Sequence, residues 1–371
     1  MTAQTAAPEA DDRVVAKGRA GLLFARPEVG ALIGALAVMA LFLAVAPSFR
    51  SLGNTGTILY EASAIGVMAV GVSLLMVGGE FDLSTGVAAT ASGICAALTA
   101  WNFGLNVWVG VLAALLFSLL VGAFNGWLLM RTGLPSFIVT LAFLFILRGF
   151  TIYLPQIIER KTIIGGVDRA AEGDWFAALF GGKILTGFFA WMGDAGIIDV
   201  FERGSRAGQP VVEGIPMLIV WAIALVIVGH IILTRTQFGN WIFAAGGDAQ
   251  AARYVGVPVN RVKILMFMFT AFCATVFATC QVMEFGSAGA DRGLLKEFEA
   301  IIAVVIGGAL LTGGYGSVIG AALGALIFGV VQQGLFFAGV ESSLFRVFLG
   351  VILLFAVILN TYIRRIITGE R

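Results

Sequence analysis

Residues 56–86 read GTILYEASAIGVMAVGVSLLMVGGEFDLSTG. Positions 56–77 form an apolar run with a single charge, Glu61, and positions 78–86 then place two acids and two hydroxyls between glycines. A helix needs about 20 mostly apolar residues to cross a bilayer. The stretch therefore predicts a transmembrane helix that stops at a polar break, and similar apolar runs recur along the chain.

The composition supports a membrane protein. Of 371 residues, 59% are hydrophobic and only 12% are charged, whereas soluble domains have roughly 45–50% apolar and 25% charged residues. The net charge of +1 provides no basic field of the kind that nucleic-acid binding requires, so no nucleic-acid partner is expected. The 49 glycines accompany only 8 prolines, which favours close helix packing over a disordered chain.

Ten apolar runs bounded by charges or turn residues predict an all-α, polytopic membrane protein with about ten transmembrane helices. The runs are 29–48, 56–77, 85–101, 105–130, 135–157, 214–234, 263–283, 299–312, 316–337 and 344–363. The third and eighth are short and are bordered by glycine-rich stretches, which indicates broken or tilted helices.

Positive charges in the short loops predict the orientation. With the N-terminus inside, twelve Lys and Arg residues lie in cytoplasmic tails and loops and three lie in short outer loops, so both termini are expected in the cytoplasm. The domains are then a cytoplasmic tail 1–28, a membrane domain 29–363 and a tail 364–371. The long segment 158–213 is an outer insert, interpreted as a subdomain, an interfacial segment or a partly disordered stretch. Segment 235–262 is a cytoplasmic loop.

A faint internal repeat links two of the spans. Gly122-x-x-Asn125-Gly126 in the fourth span resembles Gly329-x-x-x-Gln333-Gly334 in the ninth. Five spans separate the copies, and an odd number gives them opposite orientations. The pattern predicts an inverted repeat, which is common in transporters.

Charged residues inside the membrane usually face protein or a water-filled cavity. Segment 78–86 is either a cytoplasmic turn in which Asp82 or Ser84 caps the next helix, or a backbone break. In the second case its freed N–H groups and acids contact a hydroxyl-rich solute or hold a gate. Arg148 lies well inside the fifth span and is expected to pair with an acid such as Glu80 or Glu299.

The loop 235–262 contains a predicted short helix. Asp248 is a good N-cap, the helix continues to Tyr254, and Gly256 with Pro258 stops it. Such a helix between long spans lies on the membrane surface or docks in a groove on another protein. The residues alone leave both interpretations open.

Several kinds of chemistry are not expected on this chain. It has no G-x-x-x-x-G-K-[ST] phosphate loop for ATP and only one histidine, His230. Cys95, Cys273 and Cys280 lie in apolar runs without metal-ligand spacing. Neither an enzymatic activity, a metal site nor a cofactor on this chain is therefore predicted.

Four stretches together resemble the integral-membrane permease of bacterial ABC importers for simple sugars, of the ribose, xylose and arabinose type. They are 78–86, similar to G-G-x-D-L-S-x-G; 135–141, similar to P-x-F-I-V-T-L; the loop 239–256; and 297–324, with A-V-V-I-G-G and G-G-x-G-S. The resemblance extends over about 50–360.

The resemblance implies a permease homodimer in the bacterial inner membrane, surrounded by lipid. A separate ATP-binding subunit that uses ATP and Mg, and a periplasmic sugar-binding protein, are the implied partners. Segment 250–256 resembles the E-A-A-x-x-x-G signature of a coupling helix. The implied ATPase-coupling residues are Gly239, Gly246, Gly247, Asp248, Ala251, Ala252 and Gly256. The expected pathway or gate residues are Gly79, Asp82, Ser84, Asn125, Phe137 and Glu299.

The sequence departs from the family pattern at four places. An extra residue, Glu80 or Phe81, enlarges the first motif; Glu299 replaces the usual Asp; glutamines stand at 332–333 where asparagines are common; and 158–213 is longer than usual.

Three other functions compete with the sugar importer. A branched-chain amino-acid importer permease would resemble N-F-A-x-G at 82–86. An ion-coupled secondary transporter would need acids deep in the bundle, for which Glu80 and Asp82 are the candidates. A membrane enzyme is disfavoured by the missing His and Cys chemistry.

Overall fold

The structure is a computed structural model that describes residues 27–358 apart from positions 205, 342, 343, 353 and 356. The helices are α1 Pro27–Val45, α2 Leu52–Val77, α3 Thr85–Ala97, α4 Val107–Thr132, α5 Ser136–Glu159, α6 Val167–Ala170, α7 Trp175–Gly181, α8 Thr186–Asp194, α9 Met217–Arg235, α10 Gln237–Gly247, α11 Ala249–Tyr254, α12 Val259–Phe285, α13 Lys296–Ile306 and α14 Val318–Phe337. The strands are β1 Ile163–Gly165, β2 Lys183–Ile184, β3 Ile215–Pro216 and β4 Ser287–Gly289.

Seven of the described helices are long and apolar enough to cross a membrane, which confirms a helical, multi-pass membrane protein. They are α1, α2, α4, α5, α9, α12 and α14. The third and eighth predicted runs contain α3 and α13, of 13 and 11 residues. Helix α3 continues without a break into a π-helical turn, Leu98–Asn102, so the helical backbone of the third run extends over 85–102. At 1.5 Å per residue, α13 is too short to cross about 30 Å of hydrocarbon, which agrees with the expectation of a broken or tilted helix in the eighth run.

The ends of the predicted architecture lie largely outside the described residues. The backbone of 344–352 is helical, in the first half of the tenth predicted run. The rest of that run is described only in part, and its last residues, 359–363, are not described. The structure also does not describe nearly all of the tail 1–28 and the whole of the tail 364–371.

The order long helix, short helix, long helix occurs twice, as α2–α3–α4 and as α12–α13–α14. The two units exchange partners, because α4 packs along α12 while α14 packs along α2, and α3 contacts α12 while α13 contacts α2. Glycines of the predicted repeat lie at these contacts. A Cβ on Gly126 would be 2.8 Å from Cα of Ile264, and one on Gly329 would be 2.8 Å from the amide nitrogen of Ala62.

The core lies around α2 and α12, which are the most thoroughly buried of the seven long helices. Residues such as Val67, Met68, Phe267 and Cys273 are completely enclosed there. The outer helices α1, α4, α5 and α9 are mostly uncovered and carry exposed Leu, Ile and Phe side chains. That distribution is typical of helices that face lipid.

The insert 158–213 forms β1, three short helices and β2. Strand β1 pairs antiparallel with β4, and β2 pairs antiparallel with β3, directly before α9. Lys183 on β2 and Glu213 form an ion pair of 2.7 Å beside this second pair of strands, and we call the arrangement the β2–β3 clasp. The hydrogen bond from Lys183 lowers the pKa of the Glu213 carboxyl below its ordinary value.

The connections gather at two ends of the bundle. At one end, Gly166 lies against the ring of Trp101, Val211 lies beside Gly53, and β1 pairs with β4. At the other end, the segments after α2 and after α13 contact each other and the last turn of α10. The second group of contacts organises the candidate site.

Candidate functional site

The break after α2 is fixed to the first two turns of α5 by two hydrogen bonds. The backbone N–H of Phe81 donates to Oγ of Ser136, and the N–H of Leu83 donates to Oγ1 of Thr140, each at 3.1 Å. The two hydroxyls are one helical turn apart. The segment that contains Phe81 and Leu83 therefore runs along α5 and does not form a surface turn.

A buried polar chain follows at the start of α3. Oδ1 of Asp82 accepts the backbone N–H of Ser84 at 2.8 Å and its hydroxyl at 2.6 Å. Nδ2 of Asn125, on α4, donates to Oγ of Ser84 at 3.1 Å. All three side chains are buried. Asp82 closes a local turn, whereas α3 itself starts without a side-chain cap, so the predicted cap at Ser84 is wrong.

The first turn of α13 meets this region through Glu297. The Glu297 side chain is buried against Gly86 at the beginning of α3, and the N–H of Gly293 donates to the Thr90 hydroxyl at 3.0 Å. Oε2 of Glu297 and Oδ1 of Asn125 are buried and have no hydrogen-bond partner among the described residues. Two short helices thus bring their N-terminal ends together beside two free acceptor oxygens.

Two predicted site residues lie elsewhere. Glu299 forms an ion pair with Lys296, its neighbour on α13, at 2.6 Å. Phe137 is exposed on α5 and makes none of the described contacts of the Asp82 chain. Glu297, and not the predicted Glu299, lies against Gly86. Two acids two positions apart in one helical turn do not reveal from the sequence which of them faces α3.

The interior charges pair differently from the prediction. Glu80 forms a buried ion pair with Lys263 of α12. Arg148 donates instead to the backbone carbonyl of Ala290. The expected pairing of Arg148 with Glu80 or Glu299 is therefore wrong, because lysines on α12 and α13 already neutralise both acids.

The loop 235–262 contains the predicted short helix, α11. Oδ1 of Asp248 accepts the backbone N–H groups of Gln250 and Ala251, both at 2.9 Å. The helix ends at Tyr254, and Gly256 has a φ of +87°, so the predicted cap and stop are confirmed. Ala252 is buried against the bundle, whereas Tyr254 and the following Val255 are 81% and 80% exposed.

Backbones of three segments meet where α2 and α10 end. The carbonyl oxygen of Val77 accepts the N–H of Gly314 at 2.8 Å. A Cβ on Gly246 would overlap that carbonyl and lie 2.8 Å from the Gly314 nitrogen, and one on Gly313 would lie 2.6 Å from Cα of Gly79. We call Gly79, Gly246, Gly313 and Gly314 the glycine junction.

The remaining predicted glycines of the loop have different surroundings. A Cβ on Gly239 would overlap the Leu233 carbonyl at the end of α9, so this glycine fixes the turn from α9 into α10. Gly247 follows Gly246 directly, yet a Cβ there would have no atom within 4 Å. The Gly247 backbone also lies near Gly314, but of these two neighbours only Gly246 has no room for a Cβ.

A membrane helix that is interrupted beside a polar, buried segment is an arrangement that many transporters share. The family model described as the permease component of a branched-chain amino acid transport system matches residues 54–357. The chain belongs to this family.

Individual relatives align over nearly their full length. The ribose import permease protein of Escherichia coli strain K12 is 30% identical over 336 residues, which are 90% of this chain and 93% of the relative. The xylose transport system permease protein of Haemophilus influenzae is 28% identical over 360 residues, 90% of this chain and 96% of the relative. No solved structure gives a significant match.

Proposed function

We propose that this chain is the membrane permease subunit of an ATP-driven importer for a simple sugar or related polyol. The glycine junction carries the proposal, because it joins the base of the exposed helix α11 to the break that contains Asp82. A movement imposed on α11 from outside the membrane therefore reaches the broken helix through backbone contacts. The relatives named for ribose and xylose import supply the substrate class.

The proposed arrangement in the membrane follows the charge distribution. Both termini lie in the cytoplasm, about ten membrane segments include α3 and α13 as short ones, and the two units α2–α4 and α12–α14 form an inverted repeat. The exchange of packing partners between the units supports the repeat. The chain acts as a homodimer in the bacterial inner membrane, with the insert 158–213 facing a periplasmic sugar-binding protein.

ATP and Mg bind to a separate ATPase subunit in this proposal. Helix α11 docks in a groove of that subunit, with Tyr254 and Val255 as the exposed contacts and Ala252 holding the helix to the bundle. When the ATPase subunits close, α11 moves as a rigid lever. Small displacements of this kind are amplified because packed helices switch between discrete arrangements.

The proposed gate is the buried chain of Asp82, Ser84 and Asn125, together with Gly79 of the junction. Glu297 joins this set because its carboxylate lies at the same helix ends. Acceptor oxygens without partners can receive hydrogen bonds from sugar hydroxyls or water. Phe137 and Glu299 remain predicted pathway residues, and in this proposal they line the approaches to the buried chain.

The sugar branch is preferred to branched-chain amino acids because Asp82, Leu83 and Ser84 follow the sugar motif. An ion-coupled mechanism is less favoured, because Glu80 already has a lysine partner. Asp82 is occupied by the Ser84 hydrogen bonds.

Two experiments test the proposal. A mild-detergent pull-down of the tagged chain from its native membrane, followed by mass spectrometry, should recover an ATP-binding subunit and a sugar-binding protein. A chain that is purified without any ATPase would contradict the importer assignment. Separately, Asp82→Ala should reduce uptake more than it reduces assembly of the complex, whereas unchanged uptake would leave Asp82 with only its role in the local turn.

A further inference from the structure

Helix α8 carries an apolar stripe without a partner among the described residues. The stripe consists of Leu185, directly before the helix, and Phe188 and Trp191 within it. These residues recur every three positions and are 55%, 52% and 58% exposed. The rings of Phe188 and Trp191 lie 6.0 Å apart on the same side. No residue of α8 is buried, so the helix does not contribute to the core of the insert.

The start of α8 is attached to the beginning of a membrane span. In the β2–β3 clasp, Ile184 pairs with Ile215, two residues before α9. A Cβ on Gly214 would lie 3.1 Å from Cγ2 of Thr186, the first residue of α8. The helix therefore begins at the level at which α9 begins.

The far end of α8 is attached near a second span. A Cβ on Gly193 would lie 3.3 Å from both Pro210 and Val200. The residue after Pro210 is Val211, whose side chain lies beside Gly53 near the first turn of α2. Since α9 starts and α2 starts at the same end of the bundle, both ends of α8 lie at that edge.

The residue types in and around the stripe favour contact with lipid at the membrane interface. Between Lys183 and Asp199 the only charged residue is Asp194, and Trp and Phe favour the boundary between headgroups and acyl chains. The exposed side chains of α9, such as Ile223 and Ile227, continue from the same edge as a lipid-facing surface.

We propose that α8 is an interfacial helix that inserts Leu185, Phe188 and Trp191 into the lipid headgroup region at this end of the spans. The helix is about 14 Å long at 1.5 Å per residue, and it lies along the membrane surface between α9 and α2. The proposal concerns only lipid contact, and it does not depend on the transported solute or on coupling to an ATPase.

Spin-label accessibility of the full chain in lipid nanodiscs tests the proposal. The labels are attached to Phe188→Cys and Trp191→Cys, with Ala190→Cys as the control on the opposite, exposed side of α8. Alanine replaces the native cysteines in this background. We expect the first two labels to collide preferentially with oxygen and to lie about 5–10 Å into the interface. The control label should collide preferentially with a water-soluble nickel chelate.

Equal nickel accessibility at all three positions would overturn the proposal. So would labels at 188 and 191 that are shielded from nickel only when a protein partner is added. A second measurement leaves the cysteines in place: lipids brominated near the headgroup should quench the fluorescence component that wild type has and Trp191→Phe lacks. An unquenched component would also contradict insertion.

Discussion

Replacing Gly246 by alanine tests the glycine junction directly. The new methyl group would lie 2.8 Å from the Gly314 nitrogen and would overlap the Val77 carbonyl. Ordinary contacts are about 3.5–4.0 Å, so relieving the overlap with the Val77 carbonyl requires the backbones to move apart by roughly 1.5–2 Å. Overpacking of this kind costs about 1–3 kcal/mol. We expect Gly246→Ala to fold but to transfer motion from α11 to the break poorly.

Gly247→Ala is the matched control. Gly247 belongs to the same helix, and a Cβ there meets no atom within 4 Å, so both variants share the gain in helix propensity of about 1 kcal/mol and only one has the clash. The assay reconstitutes each variant with its ATPase and binding protein in proteoliposomes and measures sugar uptake per ATP hydrolysed. Gly246→Ala should lower this ratio and Gly247→Ala should preserve it. Equal ratios in two well-folded variants would refute the reasoning.

Three further predictions concern other contacts. Glu80→Gln leaves the Lys263 ammonium buried without its partner and should lower the free energy of unfolding by about 3–5 kcal/mol. In thermal unfolding, adding Lys263→Met should recover much of that stability. A further, additive loss in the double variant would contradict the ion pair. Gly86→Ala pushes against the Glu297 carboxylate and the Gly293 carbonyl, so uptake should fall, while Gly149→Ala, in open space, has no effect. Equal uptake by the two variants would show that the contact between the ends of α3 and α13 is not part of the gate. Folding lowers the pKa of the Glu213 carboxyl in the β2–β3 clasp. The ion pair with Lys183 therefore stabilises the clasp at pH values above the ordinary glutamate pKa, and this stabilisation is lost as the pH falls through the lowered pKa. Hydrogen exchange of residues 183–216 should become less protected over that pH range, and protection that does not change with pH would contradict the prediction.

Much of the fold could be predicted from apolar run length and turn residues alone. Seven runs became long apolar helices, and the short third and eighth runs became α3 and α13. The cap at Asp248 and the stop at Gly256 were also predictable, because local hydrogen bonds and a positive φ depend on neighbouring residues only.

The contacts between distant segments could not be predicted in the same way. Which lysine pairs with Glu80 depends on how α12 packs against the end of α2, and no local pattern encodes that choice. The same holds for Glu297, whose position against Gly86 requires two short helices to meet end to end. The junction of Gly246 with Gly313 joins segments more than sixty residues apart.

The most direct test of the central claim is ATP-dependent uptake of labelled simple sugars and polyols, ribose and xylose among them, that the binding protein binds. The proteoliposomes contain this chain, its co-purified ATPase and its binding protein. We predict uptake of at least one simple sugar or polyol supplied as the binding protein's ligand, with no uptake when ATP or the binding protein is omitted. Uptake that continues without ATP and follows a proton or sodium gradient would contradict the account.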